Sequence, residues 1–301
     1  MSSTLLFFRL APFIFVMIWS TGFIAAKYSM WNADPFVFLC LRFSITAIAI
    51  IPILLAFKFP FPKSFWAHRH DMVSGVLIHC GYLGFVFWPI KLGVPSGIVA
   101  IIIGIQPIFT MTLSSLYIGE KINARNLSGL LIGFVGVAVV LTGKYGLNLG
   151  LNGGLTWFEI MLCVISLLCI AIGVFYQKKF SGKSNLFTGT FMQYLGASLA
   201  TAAMAYVLNE SWVIDWTPTF IKALIWQVLG LSIGAVVILM MIIQRGEAGR
   251  ISSMFYLVPP LVVIEAHFLF GETLGVVSVI GMLMCVAGVY FVNHSTKMSN
   301  A

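Results

Sequence analysis

Charge is what this sequence has least of. Asp, Glu, Lys and Arg make up 9% of 301 residues, while 60% are hydrophobic. Soluble domains average roughly 25% charge and 45–50% apolar residues, so a single water-facing core cannot absorb this apolar surface. The chain must meet lipid. Acids are the scarcest charged class, nine in all, and they stand singly. A membrane-embedded enzyme working on a lipid-linked substrate would need Asp-rich or paired-His clusters, and none occurs. The five cysteines, Cys40, Cys80, Cys163, Cys169 and Cys285, lie inside apolar runs without metal-ligand spacing. They read as small buried hydrophobes, so no disulfide, metal or cofactor is implied. No phosphate-binding loop or soluble nucleotide domain is present, which argues against direct use of ATP. The net charge of +8 is not a nucleic-acid footprint, because no basic helix or stacking motif accompanies it.

What fills the chain is apolar runs, at residues 10–28, 36–57, 72–92, 96–118, 127–142, 157–176, 187–208, 220–243, 251–270 and 274–293. A hydrocarbon layer of about 30 Å takes roughly 20 apolar residues per helix. Ten helices therefore use about 200 residues and leave about 100 for short connections, with no room for a soluble domain. Clusters such as Asn32-Ala33-Asp34-Pro35 and Phe59-Pro60-Phe61-Pro62 punctuate the runs, as helix-ending residues do. The first run follows Arg9 but lacks a small-residue cleavage site, so it reads as a retained transmembrane helix. Placing the N-terminus in the cytoplasm puts twelve Lys and Arg in cytoplasmic segments and four outside, with Arg42 inside a helix. The positive-inside rule then predicts both termini in the cytoplasm.

An internal repeat organises these helices. Shifted by 152 residues, Phe23, Lys27 and Ser29 fall on Phe175, Lys179 and Ser181, and Pro107 falls on Pro259. In the same register Gly119-Glu120 falls on Gly271-Glu272, and Gly129 and Gly136 on Gly281 and Gly288. The unit holds five helices, an odd number, so the second copy enters the membrane inverted. The expected fold is all-α, ten transmembrane helices as two inverted five-helix repeats, 1–148 and 149–301. Inverted repeats are a recurring plan of secondary transporters, with a substrate site near the midplane. Gly129 and Gly133 form a GxxxG in the fifth helix, a surface for close packing against the other half or, less favoured, a dimer partner. A monomer or weak homodimer is expected. Pro107 and Pro259 read as mid-helix kinks, each either a gate or a static bend.

Trp19-Ser20-Thr21-Gly22-Phe23 with Lys27, Leu41-Arg42-Phe43, Gly97 through Gln106-Pro107, and Gly119-Glu120 with Gly129, Gly133 and Gly136 together resemble the EamA-type transporters of the drug/metabolite transporter superfamily. The resemblance spans essentially the whole chain. It implies ten helices, cytoplasmic termini, a bacterial inner membrane, and export or uptake of small metabolites; members carry amino acids, other polar metabolites, cationic drugs or nucleotide-like cargo, so the substrate does not transfer. The expected function is a secondary transporter, foremost an exporter, of amino acids or amphiphilic drug-like compounds, by alternating access of the two halves around a midplane cavity. The second repeat departs from the pattern, with Ala171-Ile172-Gly173 in place of a Trp-Ser start, so the first half is expected to carry more of the specificity.

Polar groups inside lipid are costly and usually face a bundle interior or wet cavity. His79, with Tyr82 one turn on, suits cargo binding or proton coupling, or else a bond to a neighbouring carbonyl. Gln106 either reaches cargo or satisfies a carbonyl freed by Pro107. Glu265 is positioned to bind an ammonium group or exchange a proton, or to sit at the outer interface. Trp19 and Tyr256 lie deep enough to stack on cargo, and Ser20 enters with Trp19. Gln193-Tyr194 and Gln227 are weaker candidates. Arg42 suits a carboxylate, but the preferred reading is a structural pair with Asp34 near the surface, reached by snorkelling. Glu120 and Glu272 read as acids at helix N-termini. A midplane cavity is expected between the first, third, fourth, sixth, eighth and ninth helices. The alternatives to a transporter are the lipid-substrate enzyme and a non-transporting scaffold. Short loops leave the scaffold little partner surface.

Overall fold

The computed structural model describes residues 3–60, 64–119, 124–145, 156–181, 184–244, 257–271 and 275–299. Among these residues the regular elements are all helices. Helix α1 is Ser3–Met30 and α2 is Pro35–Ala56. Helix α3 covers Trp66–Lys91, and α4 has two parts, Ser96–Ile103 and Gln106–Ile118. Helices α5 and α6 are Ala124–Tyr145 and Trp157–Phe180, and α7 is Leu186–Val207. Helix α8 runs through Pro218–Ile225, Trp226–Ala235 and Val236–Gln244. Helices α9 and α10 are Val258–Phe270 and Val276–Ser299.

Among the described residues, five stretches are long and apolar enough to cross a membrane: Leu10–Met30, Pro35–Ala56, Trp66–Lys91, Trp157–Phe180 and Pro218–Leu239. Shorter apolar helices include Val258–Phe270 and Val276–Gly288. Large apolar side chains such as Ile48, Leu55, Leu199, Leu229 and Phe268 face outward. Such an extensive apolar exterior suits lipid and not water.

The two prolines read as mid-helix kinks are not in mid-helix. Helix α4 breaks at Gly104-Ile105 and restarts at Gln106, so Pro107 occupies the first turn of the restarted piece. Pro259 likewise falls in the opening turn of α9. An N–H is dispensable there and the proline φ already suits the helix. The two sites meet, because a Cβ on Gly104 would stand 2.7 Å from Cγ of Pro259.

Helices α5 and α10 form the closest inter-repeat pair, and their glycines work reciprocally. A Cβ on Gly136 would stand 2.7 Å from the Gly281 carbonyl, and one on Gly288 would stand 2.6 Å from that of Gly129. The Cys285 thiol also reaches the Gly133 carbonyl at 3.6 Å. Each glycine thus meets the counterparts of its own helix partners, as a two-fold relation requires.

Helices α3 and α8 share a further feature. Both widen into π-helical turns, Val76–Leu83 and Trp226–Ala235, at matching places in the two repeats. Such turns are rare and recur at functional sites. At one end of the bundle, α7 closes on Leu208 and Asn209 takes φ +52, a left-handed conformation that Asn tolerates. The turn carries Glu210 back over α2, whose N-cap Asp34 makes no side-chain cap. Glu210 Oε2 instead accepts from the N–H groups of Phe36 and Val37, both at 2.9 Å.

Candidate functional site

Helices α1, α2, α3, α7 and α8 border a narrow cleft. Trp19, Gly22 and Phe23 line it from α1, and Arg42 from α2. Helix α3 gives Ile78, His79, Tyr82, Leu83, Val86 and Phe87. Tyr194 comes from α7, and Leu231 and Val236 from α8. The walls therefore belong to both repeats. The expected contributions of the fourth, sixth and ninth helices are replaced by those of α2 and α7.

The π turns account for what is presented. His79 and Tyr82 lie in the turn of α3, and Gln227, Leu231 and Ser232 lie in that of α8. A widened turn shifts the facing of the residues after it relative to a regular helix. The His79 ring stacks on Tyr194 with centroids 4.6 Å apart, and Tyr194 stacks on Phe43 at 5.8 Å. Tyr194 donates its hydroxyl to the Ser232 carbonyl at 2.9 Å.

Arg42 is 6% exposed. Its Nε donates to Ser232 Oγ at 3.1 Å and its Nη1 to Gln227 Oε1 at 2.9 Å. Gln227 donates in turn to Ser29 Oγ at 2.9 Å. The expected Asp34 pairing is therefore corrected, as is the snorkelled position. Asp34 instead faces Lys91 at 3.3 Å and accepts from the Ser211 N–H. Arg42 turns inward because neutral oxygens from α8 hold it there. Buried polar groups need such partners.

Of the other expected site residues, Trp19, His79 and Tyr82 meet at the cleft. Ser20 and Glu265 do not line it. The Ser20 hydroxyl donates to Glu265 Oε1 at 2.6 Å, with the Met17 carbonyl also in reach at 2.9 Å. This bond ties α1 to α9. Gln106 donates to Thr110 Oγ1 at 3.2 Å within its own helix and also lies off the cleft. Tyr256, Glu120 and Glu272 lie outside the described residues, as does the side chain of Pro107. Ser232 and Ser29 were not singled out from the sequence, where one serine in an apolar run resembles any other. A second polar cluster also went unread. Buried Asp71 accepts from Ser184 at 2.6 Å and meets His68 Nδ1 at 3.0 Å. The signal available was the helical His68-x-x-Asp71 spacing.

The cleft combines one fixed cation, hydrogen-bond donors and aromatic faces. Walls of this kind suit a small molecule, and they are drawn from both halves of the chain. An all-helical integral membrane protein with an inter-repeat cleft is the class these features define. The model of the EamA-like transporter family matches the chain twice, over residues 6–142 and 157–294. A probable amino-acid metabolite efflux pump of Salmonella typhimurium is 24% identical over 289 residues, covering 91% of each chain. The uncharacterized inner membrane transporter YedA of Escherichia coli is 24% identical over 283 residues, covering 94% of this chain and 89% of that one. A solved crystal structure superposes with a TM-score of 0.69 over 97% of this chain and 98% of the other; at 18% identity it speaks to fold alone. The chain belongs to the EamA-like transporter family, and it is a transporter of small molecules, not an enzyme.

Proposed function

We propose that this chain exports small metabolites of the amino-acid or amphiphilic kind from a bacterial cytoplasm, by alternating access around the α1–α2–α3–α7–α8 cleft. The observation that carries this reading is the shared lining, with Trp19, Arg42 and His79 from one repeat and Tyr194 and Leu231 from the other. If 1–148 and 149–301 rock against each other, the cleft opens to one side and then the other. The reciprocal α5–α10 glycines support a pseudo-two-fold relation, and with it an inverted arrangement in which ten helices cross the inner membrane and both termini are cytoplasmic. The same contact occupies the glycine face within one chain, which supports a monomer over a dimer built on that face. Export and the amino-acid class rest on the name of the Salmonella relative. Proton coupling, if present, falls to Glu265, the acid held against α1.

The test is flux from proteoliposomes loaded with labelled amino acids and amphiphilic acids. Efflux above that from protein-free vesicles is expected, and it should fall on His79→Ala. No movement of any compound in either direction would sink the transport mechanism proposed here.

A further inference from the structure

The Arg42 guanidinium has five N–H donors, and the protein takes two of them, through Ser232 and Gln227. Among the described residues its Nη2 makes no hydrogen bond, and Arg42 lines the cleft. Among the described residues no Asp or Glu lines the cleft and no ion pair forms with Arg42. A buried cation held only by neutral oxygens is costly until an anion reaches it. The guanidinium is planar and forked, a shape that matches a carboxylate through parallel hydrogen bonds. Arg42 is also the sole Lys or Arg among the lining residues, so one negative charge is matched and a phosphate dianion is not. Around it, Trp19 and the His79–Tyr194 stack offer aromatic faces to the rest of the molecule.

We propose that Arg42 is the head-group receptor of the cleft, and that the cargo is a monocarboxylate with an apolar or aromatic body. Gln227 and Ser232 act as positioning residues that aim the fork. An α-ammonium group is not required, because nothing acidic lines the cleft to meet it. The inference rests on the cleft being the transport site, and it narrows the cargo from metabolites in general to this head group.

Binding separates it from the transport reading. The full chain, purified in detergent, is titrated with 3-phenylpropanoate, 3-phenylpropanamide and 3-phenylpropylamine, which differ only in the head group. The acid is expected to bind about tenfold more tightly than the amide, the scale of one charge-assisted hydrogen bond, and the amine to bind least. Arg42→Gln should bring acid and amide to within about twofold, and Arg42→Lys should keep a reduced preference. A purely structural Arg42 would weaken all three ligands alike. Equal binding of acid and amide by the native chain, tighter binding of the amine, a preference that survives Arg42→Gln, or no binding of the acid each overturns the proposal. Should Arg42→Gln not fold, the head-group series on the native chain decides alone. Acid binding without flux in proteoliposomes would refute transport through the cleft and leave the receptor standing.

Discussion

Glu210 shows how one side chain reaches across the repeats to finish a helix in the other half. Burial raises its carboxyl from the ordinary carboxylate value, and the N–H groups of Val37 and Phe36 pull it back only in part. A raised folded-state value means that the folded chain binds this proton more tightly than the unfolded chain. The group's contribution to stability is then greatest at low pH and is lost as pH rises through the folded value. The melting temperature of the native chain relative to Glu210→Gln is therefore expected to rise as the pH is lowered from neutrality into the carboxylate range. A constant difference would refute this. Glu210→Ala leaves two helix N–H groups without their acceptor and should cost about 1–3 kcal/mol in thermal or denaturant melts across the range. Residue-scale contacts of this kind were the least legible part of the sequence. Trp19, His79 and Tyr82 stood out because polar or amphipathic groups in apolar runs are conspicuous. Arg42 stood out too, and Gln227 more weakly, but their pairing did not. Asp34 is near in sequence, whereas Gln227 and Ser232 lie 185 and 190 residues away.

At the scale of elements, apolar length located most helices, because lipid thickness sets it. It did not reveal the break in α4, since Gly104 and Ile105 continue an apolar run. It did not reveal the π turns either, because an extra residue in a turn leaves composition unchanged. The 152-residue register did better. It paired Gly136 with Gly288 before any contact was known, and the structure sets both against backbone of the opposite helix. Backbone cannot rotate away as a flexible side chain can. Gly136→Val and Gly288→Val are each expected to destabilise by about 1–3 kcal/mol, and by similar amounts, as a two-fold relation demands. Leu131→Ala, on an exposed side chain of α5, serves as the control and should leave the melt unchanged. Two glycine variants that differ widely, one neutral and one unfolded, would contradict the reciprocal packing.

For the whole molecule, the question is whether the halves part at the end where Asp34 and Glu210 lie. Thr217 Oγ1 donates to Asn32 Oδ1 at 3.1 Å, and the Asp215 N–H donates to the Asn32 carbonyl at 2.9 Å. These bonds join the α1–α2 connection to the α7–α8 connection. With the five native cysteines replaced, Asn32→Cys with Thr217→Cys should cross-link on oxidation. Under alternating access the cross-link stops flux and reduction restores it. Full flux through the oxidised protein would mean that this end need not open. Hydropathy gave the bundle and the repeat gave its symmetry, but the cleft lay beyond both. It depends on which faces α2 and α7 turn inward, and tertiary packing decides that.

The α5–α10 contact also dictates a timetable. Cys285 touches Gly133 across 152 residues of chain. A ribosome adding about 5–20 residues per second delivers α10 roughly 8–30 s after α5. Until then the small-residue face of α5 lacks the helix it is shaped to meet. The α5–α10 seam is thus the last helix pair to close during synthesis, and a chain stalled before α10 is left with its tightest-fitting surface uncovered.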